Sequence, residues 1–583
     1  MKLKRIKLLS TFRGLPAGFE INFNRSLIAN EQIEPICFVG LNGSGKSNAL
    51  EVVGEMFYYL ENFNRSSKKD LDNFKTLFGF ELDYYLPKLT LAGAGFTWDE
   101  LGDLTFNDLD QNQLIHVSKP VNELPTVNLS FNDKEIEIKD FYNYGLSKVL
   151  PKHIIGYSSG LNELISNPFV KLNFEYYEDL KRKKNKAVES KLEMNRFQFL
   201  DYNVSKLITV SNFIFDIELS QIGDTKNLDI LKKEIEVKEL NEFSIHLSLK
   251  KINTIHRQKA RYIEREDNTN LKRLLKDEIE ELENLEGYAP NELITAIKAF
   301  MDIDPFFEIS KRTNKIYHFL NLSFNFKMNN ASLKGFREKF NSADNLFRAL
   351  YFFQTLNIEK ISRNIGKTVK SAKAGTNESL SDLIPKYEIE KQLFHLGNIS
   401  FKKEGVENPI HYKHLSDGEH QLLQILGSII LLDSTSSLFL LDEPETHFNP
   451  EWKSKFIWLI NECMKANTTE NNREQEIVIT THSPFMISDS KKRNVVWLKS
   501  EKKDGPEEVL INTYGTSVNN LTNEFFGKQR QIADLSWNDM LEDLKSDNIN
   551  DLNDALSKYG DSHEKAMILQ KLNKLIIEKD KGE

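Results

Sequence analysis

The sequence predicts an α/β fold: a central, mostly parallel sheet, an antiparallel β layer beside it, and a large helical insertion between the two halves of the sheet. Three observations carry this. A short apolar strand, Pro35 to Gly40, runs into a glycine-rich loop and then a helix. A second apolar strand, Ser437 to Glu443, ends in paired acids almost four hundred residues later. Between them, from about 161 to 365, the chain turns charged and helical.

The elements follow in order. Phe19, Ile21 and Phe23 alternate with polar residues, the period of a half-buried strand. Pro35 to Gly40 is nearly continuous in apolar residues, as a central strand requires, and a helix should start near Lys46. Phe80, Leu82, Tyr84 and Leu86 alternate. Val127, Leu129 and Phe131, an Asn132-Asp133 turn, and Ile136 and Ile138 read as a hairpin in the antiparallel layer. In the insertion, Leu271, Leu275, Ile279, Leu282 and Leu285 form one helix stripe, with Gly287 as its stop. That is about two heptads, which favours a compact insertion over a coiled-coil arm. Residues 366–379 read as a mobile basic linker. Strands are expected at 437–443, 476–482, 494–499 and 507–515, followed by charged helices. The expected domains are thus an N-terminal lobe at 1–160, the insertion at 161–365, a C-terminal lobe at 366–520 and a helical tail at 521–583.

Composition narrows the class. The 583 residues are 40% hydrophobic and 28% charged, which fits a folded soluble chain. A net charge of −9 argues against a globally basic nucleic-acid binder. Two isolated thiols, Cys37 and Cys463, point to a reducing compartment and exclude a cysteine-rich zinc module. No apolar run is long enough to span a bilayer, and Leu422 to Leu432 reads as a buried helix. A cytoplasmic protein with no membrane partner is expected.

Gly40-Leu-Asn-Gly-Ser-Gly-Lys46-Ser47 matches G-x-x-x-x-G-K-[ST]. Glycines let backbone N–H groups turn inward around phosphate oxygens, and the following helix presents its free N–H groups to the anion. Gly40, Asn42, Gly43, Ser44, Gly45, Lys46, Ser47 and Asn48 are therefore the candidate phosphate-binding residues. Lys46 can reach the β- and γ-phosphates, and Ser47 can ligate Mg²⁺. A chance glycine-rich turn is the ordinary alternative, and the strand before the loop argues against it. Asp442 and Glu443 could be solvated acids at a strand end. Paired with a phosphate loop, Asp442 becomes a Mg²⁺ ligand and Glu443 the group that orients or deprotonates the attacking water.

Ser416 and Glu419 form S-x-x-E, a capping box, which by itself says only that a helix begins. The combination of Leu415-Ser416-Asp417-Gly418-Glu419, then Asp442-Glu443-Pro444-Glu445-Thr446-His447, then Thr481-His482-Ser483-Pro484 says more. It resembles the ABC-type ATPase heads of SMC, RecF and OLD-family proteins. That resemblance implies ATP and Mg²⁺ as ligands. It also implies that Ser416 and Gly418 contact a γ-phosphate held by a second subunit, that His482 is a switch histidine, and that Arg13, in Thr11-Phe12-Arg13-Gly14, approaches the nucleotide.

The layout, with long arms absent, looks most like the ATPases of bacterial defence operons, those of restriction systems and the PtuA ATPase of Septu-type systems. What this implies is an ATP-driven switch that dimerises, or assembles further, through ATP-sandwiched heads. It would handle DNA and control a partner nuclease, since no acidic cluster of the TOPRIM kind follows His482. The basic clusters at 181–186 and 250–261 could touch DNA or be solvated faces. A RecF-like repair ATPase is the alternative, a transporter's ATP-binding subunit a third, and a module that holds ATP without turnover a fourth.

Overall fold

The computed structural model describes residues 1–23, 34–87, 112–131, 134–137, 145–160, 163–183, 195–216, 226–252, 290–313, 317–432, 436–467, 475–499, 505–528 and 532–582. The helix stripe at 271–287, the Asn132-Asp133 turn and most of the two basic clusters lie outside these residues.

A six-stranded sheet, parallel throughout, forms the centre. Its order is Val495–Trp497, Ile36–Val39, Glu476–Thr481, Ser437–Asp442, His153–Ser158 and Phe197–Phe199. Buried strands need apolar side chains on both faces, and Ile36–Val39 and Ser437–Asp442 are buried at every position. The expected antiparallel layer is present as a second six-stranded sheet, with Lys2–Leu8 paired to Phe80–Pro87 and the hairpin Thr126–Phe131 and Lys134–Glu137 near its edge.

The helix Lys46–Arg65 lies between these two layers, so apolar residues surround it. Its Phe57 meets Tyr84 of the antiparallel layer edge-on at 5.4 Å. Each of its buried acids meets a basic side chain, from the helix itself or from another segment. Glu51 pairs with Arg13, Glu55 with Lys171, and Glu61 with Arg65 and Arg196. Unpaired, any of these buried charges would be strongly destabilising.

The insertion contains helices, as expected, but also long strands that the charged composition concealed. Val237–Ile252, Glu308–Thr313 and Tyr317–Lys327 join Phe394–Lys403 and Ile410–His411 in an antiparallel sheet. Phe243, Ile245, Leu247, Leu322, Phe324 and Phe326 put one face of that sheet into the main core, while Ser244, His246, Asn321 and Ser323 occupy the other. Period-two alternation was therefore there to be read in Val237–Ile252.

Three other expectations are corrected. The segment 366–379 is not a linker. It begins within the helix Arg363–Ser371, which Ser362 caps and which buries Gly366 and Val369. The boundary at 365/366 thus falls inside a helix whose basic residues mark only its outer face. Residues 507–515 form no strand beyond a single bridge from Glu507 to Trp497. Val509 is buried there without a neighbouring strand, and alternation reports burial, not pairing. The tail boundary cuts the helix Val518–Phe526, whose Leu521 and Phe525 pack on Cys37, Val39 and Trp497. Asp534–Asp543, Ile549–Lys558 and Lys565–Gly582 share a small core of their own.

Candidate functional site: a phosphate loop facing an acid pair and a histidine

Parallel strands end on the same side, so their C-terminal residues collect along one edge of the sheet. The register aligns Ser158 with Asp442, Asp442 with Thr480, and Thr481 with Val39, the last strand residue before the phosphate loop. Segments far apart in sequence therefore meet at this edge.

The loop itself is shaped by its glycines. At Gly40 a Cβ would lie 2.1 Å from the Leu498 carbonyl oxygen and 2.6 Å from Ser44 Oγ. Gly45 has φ 91 where the helix begins, a left-handed conformation that costs glycine little. Ser44 Oγ is buried without a partner, and Leu41, Asn42 and Gly43 are exposed. A buried hydroxyl without a partner in a glycine-rich turn suits a phosphate oxygen. The Lys46 amine donates to the carbonyls of Gly40 and Leu41 at 3.0 and 3.1 Å. Burial lowers its pKa, against the attraction of Glu443, Asp442 and Glu445.

Asp442 is buried and accepts three hydroxyls: Thr480 at 2.6 Å and Ser47 at 2.9 Å on Oδ1, and Ser158 at 3.5 Å on Oδ2. Burial raises its pKa, while the Thr480 and Ser47 bonds oppose the rise. A hydroxyl and a carboxylate 2.9 Å apart are a hard-oxygen pair of the kind Mg²⁺ takes.

Glu443 has φ 48, uncommon for a non-glycine residue, and is held there by its N–H donating to Thr480 Oγ1 at 3.0 Å. This backbone turn brings Oε1 to 3.2 Å from His482 Nε2. The hydrogen bond with His482 lowers the Glu443 pKa.

The structure thus brings together Lys46, Ser47, Asp442, Glu443 and His482. It does not bring Arg13 to the acid pair. The Arg13 guanidinium donates at 2.8 Å to Oε1 of Glu51, one helical turn beyond Ser47, and to the Thr376 carbonyl. Gly14 sits beside Asn48, with the Asn48 Nδ2 atom 3.8 Å from where a Cβ would stand. Ser416 caps the helix Asp417–Leu431 in a full capping box with Glu419, and it is exposed. Gly418 is pressed against the His447 carbonyl and the Trp452 ring, where a Cβ would stand 3.0 Å from each. Gln421 ties that helix to the edge, donating to Tyr157 and accepting from the His447 N–H.

Sequence reasoning missed Glu445, Thr480, Thr481 and Ser158. Glu445 is 4% exposed and accepts from the Thr481 hydroxyl, and burial pushes its carboxyl up to about 7. Its position three residues after Asp442 was the available signal.

Among known proteins, a family described as "AAA domain, putative AbiEii toxin, Type IV TA system" matches residues 36–488, most of the chain, including the phosphate loop, the acid pair and His482. The chain belongs to this family. An AAA-type, nucleotide-hydrolysing P-loop domain therefore spans the edge just described. Over 167 residues this AAA-type chain is 28% identical to protein ea59 of Escherichia phage lambda, a match over 27% of the chain and 30% of that protein's length. A solved SmcHead bound to the C-winged helix domain of ScpA aligns over 85% of the chain and 93% of its own, at 12% identity and a TM-score of 0.26. Among the described residues no helix is long and apolar enough to cross a membrane.

Proposed function

We propose that this AAA-type ATPase is an ATP-driven switch of a bacterial anti-phage defence or restriction-type system, sensing or handling DNA and controlling a partner nuclease. The observation that carries the ATPase part is the convergence of Ser47 on Asp442 and of His482 on Glu443 at one sheet edge, from segments far apart in sequence. The defence part is supported by the family's description as AbiEii-type and of a type IV toxin–antitoxin system.

In this proposal the phosphate loop and Lys46 hold the triphosphate, and Ser47 and Asp442 hold Mg²⁺. When bound, the ion neutralises charge on the β- and γ-phosphate oxygens. Glu443, hydrogen-bonded to His482, orients the attacking water and accepts its proton. His482 reports on the γ-phosphate. Ser416, exposed at a helix N-terminus, and Gly418 face the nucleotide of a second copy, so ATP closes a homodimer.

The test is purification of the full chain with its genomic neighbours. Mg²⁺-dependent ATP hydrolysis, ATP-dependent dimerisation and a co-eluting nuclease are expected. DNA binding should weaken steeply with salt, and less so once residues 181–186 are neutralised. A chain that turns over no ATP, alone or with its neighbours, refutes the ATPase assignment. Turnover with DNA binding but no nuclease partner refutes the nuclease-controlling role and favours the RecF-like alternative.

A further inference from the structure

Three consecutive residues at the end of the strand Glu476–Thr481 each meet a different carboxylate. Thr480 donates to Asp442, Thr481 donates to Glu445, and His482 pairs with Glu443. The first contact follows from sheet register, since Asp442 and Thr480 are paired across neighbouring strands. The second does not. Glu445 lies beyond Pro444 in a loop that folds back on itself, with the Phe448 N–H donating to the Glu445 carbonyl at 3.0 Å.

The Thr481 hydroxyl is used twice. It donates to Glu445 Oε1 and accepts from the Ser483 N–H at 2.8 Å. Those two bonds fix the backbone on both sides of His482. Glu445 Oε2 and Ser483 Oγ are buried without partners. Glu445 thus spends Oε1 on the residue next to His482.

We propose that Glu445, acting through Thr481, is a positioning residue that fixes His482 against Glu443. The proposal rests on the ATP-hydrolysing role given above. It makes the pair Glu445–Thr481 a second clasp between the loop that carries the water-activating acid and the strand end that carries the histidine. Without it His482 keeps its side chain but loses its orientation, and the Glu443 carboxylate loses the partner that holds it in place.

The experiment is steady-state ATP hydrolysis by the full chain. Glu445→Ala and Thr481→Val should each lower kcat about 10- to 100-fold, the scale of a misplaced group, with KM for ATP changed less than about threefold. The double variant should be no slower than the slower single, because both remove one interaction. Thr481→Ser keeps the hydroxyl and should recover most of the rate. Glu445→Gln keeps an acceptor and should recover part of it, so a folding defect in Glu445→Ala does not decide the matter. Parent-like kcat in Thr481→Val overturns the proposal, as does a failure of Thr481→Ser to rescue, or a loss that appears in KM. Glu443→Gln run alongside separates the two readings. If it abolishes hydrolysis while Glu445→Ala and Thr481→Val retain parent rates, only the clasp falls. If the parent hydrolyses no ATP, both fall.

Discussion

Replacing Glu443 by Gln is the most informative single change. The amide has the shape of the carboxyl, so the left-handed backbone at φ 48 and the N–H bond to Thr480 should persist. What disappears is a base that the His482 hydrogen bond holds ionised below the usual carboxylate range. Because the parent carries that base fully charged at neutral pH, its whole contribution is lost. A positioned general base is worth about 10²- to 10⁴-fold. The middle of that range, a fall in kcat of about 10³-fold, is expected, or about 4 kcal/mol at roughly 1.4 kcal/mol per tenfold. ATP should still bind, because Lys46 keeps its bonds to the loop carbonyls and loses only one of three attracting carboxylates. Single-turnover phosphate release measures the first quantity, and equilibrium binding of a fluorescent ATP analogue measures the second. His482→Ala completes the test. Removing the largest cause of the lowered Glu443 pKa should move the acid limb of kcat to higher pH. Hydrolysis by Glu443→Gln within threefold of the parent would refute the assignment of the base to this residue.

Gly40→Ala should abolish ATP binding while leaving secondary structure intact by circular dichroism, because its Cβ would fall 2.1 Å from the Leu498 carbonyl and displace the loop. Burial raises the Glu51 carboxyl to about 8 in spite of Arg13. The folded state therefore binds the proton more tightly, and this group's contribution to stability is lost as pH rises from the ordinary carboxylate range through 8. Glu51→Gln should flatten that part of the Tm–pH curve, whereas Arg13→Ala, which removes a group that lowers the Glu51 pKa, should extend the descent to higher pH. Glu34 is the opposite case. Burial pushes its pKa up, but bonds from Lys491, Arg493 and Asn494 prevail and lower it to about 2. Its contribution is present above the ordinary carboxylate pKa and is lost as pH falls towards 2, so Glu34→Gln should lower Tm at pH 7 and leave it unchanged near pH 2.

Much of the fold was legible because its signals are local. The glycine spelling at 40–47, the apolar strands that run into it and into Asp442, and the capping box at Ser416 each depend on neighbours within a few residues. The glycine-rich loop, the acid pair and His482 could therefore be placed at strand ends from sequence. Where the reading failed, the deciding partner was remote. The basic run at 366–379 looked like a linker because the residues that bury Gly366 and Val369 are elsewhere, Phe174 among them. Residues 507–515 alternate like a strand but find only one bridge.

The sequence by itself determined that a phosphate loop, an acid pair and a histidine exist, and that each sits at the end of a strand. Only the tertiary structure decided that they share one edge, since that requires parallel register across strands almost four hundred residues apart. It also decided what each polar group does with its hydrogen bonds. Thr480, Thr481 and Glu445 carry no motif of their own. Their part is set by burial and by which carboxylate lies within reach, and those are properties of the folded chain alone.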